Sequence, residues 1–225
     1  RIELPKYPNL TTIGAYRESS PKKWDRRHTD GVPYGPFFYS MDEMKDLIEY
    51  AKNRSITIVP EIELPGHTLS LLSCYPQYSC TGGPFKPKCL WGPDEEILCA
   101  GNDEALAFLE KILDDVIELF DSAFIHCGGD EVIKTRWQNC TKCQKRIKDE
   151  NLGNVENLQG WVTEHFSNYL ESRGRRLIGW DEIIDCNYSL PSSTTIMSWQ
   201  GVSGGLKAAR LGHDVIMSPA TYLYL

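Results

Sequence analysis

The sequence predicts an α/β protein of the (β/α)8 barrel class, with part of the barrel lying outside this chain. Three observations carry that reading. Amphipathic helical stretches alternate with short β-branched runs along the 225 residues, the pattern of parallel strands joined by right-handed crossovers. Nearly every run ends in a polar or aromatic cluster: Glu61/Glu63/His67, His126/Asp130/Glu131, Trp180/Asp181/Glu182 and Trp199/Gln200. A barrel gathers all its strand ends at one mouth, whereas an open doubly wound sheet gathers only those beside its switch point. The strand patterns number five, about three short of closure. Residues 1–225 are therefore expected to form one barrel domain whose first strands and last strand are missing from this chain.

The elements follow in order. Residues 1–40 are rich in Pro, Gly and Tyr and read as loop with short extended pieces. From Asp42 to Asn53, Met44, Leu47, Ile48 and Ala51 share one helical face. The run Ile56 to Ile62 fits a buried strand. Residues 70–101 form a long loop rich in Cys, Gly and Pro, a length that usually signals function inside a compact domain. Asp103 to Phe120 is the clearest helix, striped by Leu106, Leu109, Ile112, Leu113, Val116 and Leu119 and capped by Asn102. A strand at 123–127, a helix at 155–173, strands at 176–181 and 195–199, a helix at 204–211 and a strand at 215–217 complete the alternation.

Composition excludes several classes. With 41% hydrophobic and 24% charged residues the chain is an ordinary globular one. Its net charge is −7 and no Lys/Arg run exceeds two residues, so it lacks the basic face that nucleic acid requires. No apolar stretch has the length of a membrane span. Eight cysteines are many. Cys74, Cys80, Cys89 and Cys99 fall in one loop-like stretch, and disulfides are expected there first. Cys140 and Cys143 form a CxxC, but no second ligand pair stands at finger-like spacing. Cys127 reads as a buried free thiol. Four Asn-x-Ser/Thr sequons, at Asn9, Asn53, Asn139 and Asn187, together with the cysteines, favour a secreted or lumenal, lysosome-type location over the cytosol. Oligomeric state is open, a homodimer included.

The sharpest chemical cluster is His126-Cys127-Gly128-Gly129-Asp130-Glu131. Two glycines let the backbone turn tightly and a ligand come close. Two adjacent acids can divide labour, one protonated as general acid and one ionised; the plainer alternative is a pair of acids capping the next helix. In Pro60-Glu61-Ile62-Glu63-Leu64-Pro65-Gly66-His67, two prolines and a glycine fix a turn that presents Glu61, Glu63 and His67, or serve only as a structural turn. Trp180 and Trp199 each close a strand; they are either core or walls for a sugar ring, whose apolar faces stack on aromatics.

These motifs resemble a known family. Phe124 to Val132, with His-x-Gly-Gly-Asp-Glu, is similar to the signature of the β-N-acetylhexosaminidases, family 20 of the glycoside hydrolases. Pro60 to His67 resembles the family's Pro-Glu-x-x-x-Pro-Gly-His. Gly179-Trp180-Asp181-Glu182 and Ser198-Trp199-Gln200 resemble its two later tryptophan motifs, and Ala220-Thr221-Tyr222-Leu223 its late Tyr-Leu motif. Arg1 to Arg17 looks like the segment after that barrel's second strand. The resemblance implies retaining hydrolysis of terminal β-linked N-acetylhexosamine from a glycan or glycoconjugate, without cofactor or metal. The substrate's own 2-acetamido oxygen would attack the anomeric carbon and form an oxazolinium-like intermediate. It assigns Glu131 as acid and then base, and Asp130 to the acetamido N–H. Tyr222 would hold the acetamido oxygen, with Trp180 and Trp199 as pocket walls. His67, His126 and Asp181 would bind substrate, with Glu61 supporting them from behind. The family's sugar-binding arginine, its His/Asp-rich motif and its N-terminal α/β domain have no counterpart here, so this chain by itself is expected to be weakly active or inactive.

Two rival readings remain. A metal-dependent hydrolase would gather Glu61, His67, His126, Asp130 and Asp181 around a divalent ion. A carbohydrate-binding barrel would have lost catalysis.

Overall fold

The computed structural model describes residues 1–23 and 27–224. In chain order the elements are α1 (Asn9–Thr12), α2 (Met41–Lys52), α3 (Leu69–Cys74), α4 (Asp103–Leu119), β1 (Phe124–His126), α5 (Thr135–Asn139), α6 (Thr141–Asp149), α7 (Val155–Glu171), β2 (Arg176–Trp180), β3 (Thr195–Ser198), α8 (Val202–Arg210), β4 (Val215–Met217) and α9 (Ala220–Leu223). The strands form one parallel sheet in the order β1-β2-β3-β4. Sequential neighbours with helical crossovers are the arrangement that alternating periodicity implies. Among the described residues the sheet is open.

The fifth expected strand, 56–62, forms only at its end. Ile62 N donates to His126 O at 2.8 Å and His126 N to Pro60 O at 2.9 Å, and Leu64 N reaches Cys127 O at 3.1 Å. Upstream of Pro60 no ladder forms, and Ile56 and Val59 are exposed. The apolar run therefore lies beyond the part of β1 that can pair with it.

The helices stand where their signals place them. Ser40 and Glu43 close a reciprocal capping box on α2. Asn102 caps α4 by accepting from Glu104 N, and its amide donates to Gln77 O at 3.2 Å. The stripe of α4 (Leu106, Leu109, Ile112, Leu113, Val116) is buried in one core with Ile125 and Leu177 of the sheet, and with Leu158, Val162, Phe166 and Leu170 of α7. α7 packs on β2, and α8 covers β3 and β4.

Two expectations are corrected. Residues 70–101 are not all loop: α3 opens the stretch, and Ser79 bridges antiparallel to Leu98. The stretch also carries no disulfide, and all eight cysteines are free. Cys74 Sγ turns to the carbonyls of Asn9 and Ser70 and Cys89 Sγ toward Pro87 O. Cys80 and Cys99 instead meet Cys140 and Cys143. The free thiol expected at Cys127 is found, fully enclosed.

Because the Asn102 side chain both caps α4 and ties it to the 75–79 turn, Asn102→Ala is expected to cost about 1–3 kcal/mol. That lowers the thermal midpoint by about 2–4 °C per kcal/mol for a chain of this size. Ser40→Ala, at the exposed cap of α2, is expected to cost about half as much or less. Thermal denaturation followed by circular dichroism compares the two.

Candidate active site

The site begins with backbone pairing. Hydrogen bonds between residues 60–64 and the end of β1 set the turn Glu61 to His67 beside the loop Cys127 to Glu131. On the other flank, Cys127 N donates to Ile178 O and Trp180 N to Gly128 O, so that loop is held between two extended segments. Gly128 (φ +65°) and Gly129 (φ +98°) take the left-handed conformation that glycine adopts without cost. They also have no room for a side chain. A Cβ on Gly128 would fall 2.0 Å from Glu63 Oε2, and one on Gly129 2.3 Å from Ile183 Cγ2. Gln159 of α7 donates to Gly129 O at 2.7 Å. Glu131 itself sits at φ +49°, a conformation that costs a non-glycine residue energy and that accumulates at functional sites.

His67 (φ +51°) lies between the two acids. Its Nε2 is 3.3 Å from Asp130 Oδ2 and 3.3 Å from Glu131 Oε2. The hydrogen bond to Asp130, aided by the surrounding carboxylates and opposed by burial, raises the imidazole to about 9. It is then an imidazolium bridging the pair. Asp130 Oδ1 is buried without a partner. Behind them Glu63 is pushed up to about 8, first by burial and then by the charges of Asp130 and Glu61. Glu63 therefore carries a proton at neutral pH and spares the site one negative charge.

His126 and Glu61 form the floor. Gly128 N–H donates to His126 Nδ1 at 3.0 Å, which makes that nitrogen an acceptor and places the proton on Nε2. Burial lowers the His126 pKa, so the 3.3 Å approach of Glu61 Oε1 to Nδ1 is a contact with a neutral ring rather than an ion pair. Glu61 Oε1 instead accepts from Trp180 Nε1 at 3.0 Å, and the Trp180 and His126 rings meet at 4.6 Å.

Trp199 follows β3 and is tied to the turn after β2. Its Nε1 donates to Glu182 Oε2 at 2.8 Å, and Gln200 donates to the other oxygen at 3.0 Å. Burial raises the Glu182 pKa. Glu131, Glu182, Gln200, Gln159 and Lys134 line one groove. His67 opens on a second cleft, with Arg1, Arg17, Tyr34 and Asp94.

Two expected site residues are placed elsewhere. Tyr222 is 74% exposed in α9 and faces away. Two residues on, Tyr224 stacks on Trp199, with ring centroids 6.2 Å apart and planes 15° from parallel. Its hydroxyl is raised by burial and by the charges of Asp130, Glu61, Glu182 and Asp181. Tyr224 is the C-terminal cap of α9 and has extended backbone, a change of direction that the run Tyr222-Leu223-Tyr224-Leu225 does not reveal. Asp181 is 3% exposed. Its Oδ2 accepts from Ser198 Oγ at 3.0 Å, and a Cβ on Gly204 would lie 2.1 Å from that same oxygen. It anchors the start of α8 instead of lining the mouth. Glu63 and Glu182 stand in the strand-end clusters of the sequence, but the resemblance gave neither a role. The signal for Glu182 was its adjacency to Trp180 and Asp181, but only the fold shows it bound to Trp199.

The five residues of the metal-centred reading do not gather as one set. Glu61 accepts from Trp180 and Asp181 from Ser198, whereas His67, Asp130 and Glu131 bring three ligand atoms within 4.8 Å of one another.

Comparisons with known proteins point the same way. The profile of the family "Glycosyl hydrolase family 20, catalytic domain" matches residues 1–225. The chain is 41% identical over 221 residues to a β-hexosaminidase of Porphyromonas gingivalis, covering 98% of this chain and 27% of that protein. It superposes on the crystal structure of a β-N-acetylhexosaminidase from Bacteroides fragilis with a TM-score of 0.77 at 37% identity, covering 96% of this chain and 41% of that one. On a family 20 exo-β-N-acetylglucosaminidase of Vibrio harveyi in complex with N-acetylglucosamine the TM-score is 0.81 at 28% identity, covering 98% and 34%. The chain thus spans well under half the length of these relatives. With the Asp130–Glu131 pair bridged by His67, and with a family profile matched from end to end, this chain belongs to glycosyl hydrolase family 20.

Proposed function

We propose that this chain carries the catalytic centre of an exo-acting β-N-acetylhexosaminidase that uses the substrate's own acetamide as nucleophile. A (β/α)8 barrel completed by residues beyond this chain is part of the same reading. The carrying observation is the Asp130–Glu131 pair, bridged by His67, with one buried acceptor on Asp130 left without a donor. A buried carboxylate oxygen without a partner costs energy until a donor arrives, and a substrate acetamido N–H supplies one. Asp130 then turns the acetamido oxygen toward the anomeric carbon and offsets the positive charge that spreads over the ring. Tyr224 donates to that oxygen from the Trp199 side. Trp180 and Trp199 exclude water and hold the near-attack geometry.

Glu131 has the more exposed side chain of the pair, at 40% against 18% for Asp130. It is suited to the leaving group, which departs toward solvent. In its protonated form, rather than as the carboxylate that pairs with His67, it gives its proton to the glycosidic oxygen as the C–O bond breaks. It then takes a proton from the water that opens the oxazolinium-like intermediate, with retention at the anomeric carbon. The relatives named as β-hexosaminidases support the substrate class. The assay is hydrolysis of an aryl N-acetyl-β-glucosaminide against the matching glucoside, with the anomer first released read by NMR. Rapid hydrolysis of the amide-free glucoside overturns the proposal. Glu131→Gln is expected to lower kcat by roughly 10²–10⁴-fold.

The two tyrosines separate the acetamide role from mere surface. Tyr224→Phe removes a donor to a developing charge and is expected to cost about 10²-fold or more in kcat. Tyr222→Phe is expected to stay within about twofold, as a substitution at an exposed position without a partner does. Steady-state kinetics on both variants reads the difference.

The charge states also bear on stability. His67 is raised to about 9, so its stabilisation is full below the unfolded value of about 6.5 and is lost as pH climbs through 9. Glu63 is an acid raised to about 8. Its unfolded form ionises near 4.3, so the folded state holds the extra proton, and stability falls as pH rises from there to 8. Both act in one direction, and the thermal midpoint is expected to fall from pH 5 to pH 9. Glu63→Gln, which copies the protonated form, is expected to match the parent at pH 4 and exceed it by about 2 °C or more at pH 8. Calorimetry across that range would detect a flat or rising parent profile, which contradicts these charge states.

A further inference from the structure

Away from the active site, four cysteines from distant parts of the chain converge. Cys80 follows the 76–78 turn, and Cys99 precedes the cap of α4. Cys140 and Cys143 open α6. The Sγ atoms of Cys80 and Cys143 are 3.7 Å apart, those of Cys99 and Cys143 3.7 Å, and those of Cys99 and Cys140 3.8 Å. All four lie within 4.8 Å of one another. These separations exclude disulfide bonds, which need about 2.05 Å. They match the edge of a tetrahedron instead: Zn–S bonds of about 2.3 Å set the sulfurs about 3.8 Å apart.

We propose that Cys80, Cys99, Cys140 and Cys143 bind one structural zinc ion. The backbone is built for it. Gly101 lies so close to the Lys142–Cys143 peptide that a Cβ there would fall 2.1 Å from the Lys142 carbonyl carbon. Only glycine lets the 99–101 turn and the 140–143 turn meet sulfur to sulfur. Cys140 and Cys143 stand at the N-terminus of a nine-residue helix, where the helix dipole favours thiolate. On binding, each S–H bond is exchanged for an S–Zn bond and its proton passes to solvent. Nothing is oxidised or reduced. Four protein ligands leave no open position, so the ion is structural and not catalytic. It ties the 79–101 excursion to the segment that follows Glu131. Trp137, fully buried, makes the same connection by donating to Leu98 O at 2.8 Å.

The test is metal content by plasma mass spectrometry on the chain purified under thiol-free reductant, after dialysis against a weak chelator. About one zinc per chain is expected. Four of the eight thiols should resist a thiol reagent until a strong chelator is added. Cobalt substitution should give tetrahedral d–d bands with thiolate charge transfer. Cys99→Ser and Cys140→Ser are expected to lose the metal, whereas Cys89→Ser and Cys186→Ser keep it. Where a ligand variant does not fold, the cobalt spectrum and thiol count of the unsubstituted chain decide. Freely titrating thiols without bound metal, iron in place of zinc, or an intact mass showing two disulfides would each overturn the proposal. None of these readouts depends on glycoside hydrolysis.

Discussion

Three backbone hydrogen bonds, between Pro60, Ile62 and Leu64 on one side and His126 and Cys127 on the other, decide what the rest of this structure can do. They place a rigid Pro-Glu-Ile-Glu-Leu-Pro-Gly-His turn alongside a Gly-Gly-Asp-Glu loop, so that groups more than sixty residues apart in sequence share one charge system. Slipping that register by one residue would turn the side chains to the opposite face. Glu63 would leave its place against Gly128, and His67 would part from Asp130. The site is thus a property of strand pairing before it is a property of any acid.

The charges in that small volume would not coexist unaided. Glu61, Glu63, Asp130 and Glu131 are drawn together with little cationic relief other than His67. The structure meets this in two ways. Burial and its neighbours keep Glu63 protonated, and the carboxylates keep His67 charged. Each shift favours the state that lowers the local negative charge, so the folded site binds more protons than the unfolded chain across the neutral range. A centre that must hold one carboxylate ready to orient an amide and another ready to give a proton needs such background compensation.

Much of this was legible in the sequence, and the failures share a cause. Helices α2, α4 and α7 announced themselves by apolar spacing and by caps such as Asn102, which are local signals. The carboxylate pair, the glycine turn and the tryptophans at strand ends were legible because short-range chemistry confines them to few roles. What escaped depended on direction or on distance. Asp181 and Tyr222 lie within the right motifs, but one turns back under α8 and the other out to solvent. Choosing between Tyr222 and Tyr224 needs the point at which the short α9 gives way to extended backbone, which no periodicity fixes. The cysteine quartet escaped because its pairs stand some forty residues apart, far outside finger-like spacing. Proximity within the 74–99 stretch suggested disulfides, but the fold directs two of those thiols across to α6.

The loop bearing Glu131, the general acid we propose, shows why such distant anchors matter. Glu131 keeps a left-handed backbone conformation, which a free loop would relax away. Upstream, it is fixed by two glycines wedged against Glu63 and Ile183 and by Gln159 holding the Gly129 carbonyl. Downstream, Trp137 bonds to Leu98 and the CxxC turn closes on Cys80 and Cys99. Restraint at one end only would leave the acid free to swing by an ångström or more, and misplacement on that scale costs catalysis heavily. Restraint at both ends makes a strained, precise position affordable on a loop, where precision is otherwise hard to hold. In this chain the geometry of Glu131 is underwritten by residues outside the carboxylate cluster, and the sulfur cluster stands at the far end of that chain of contacts.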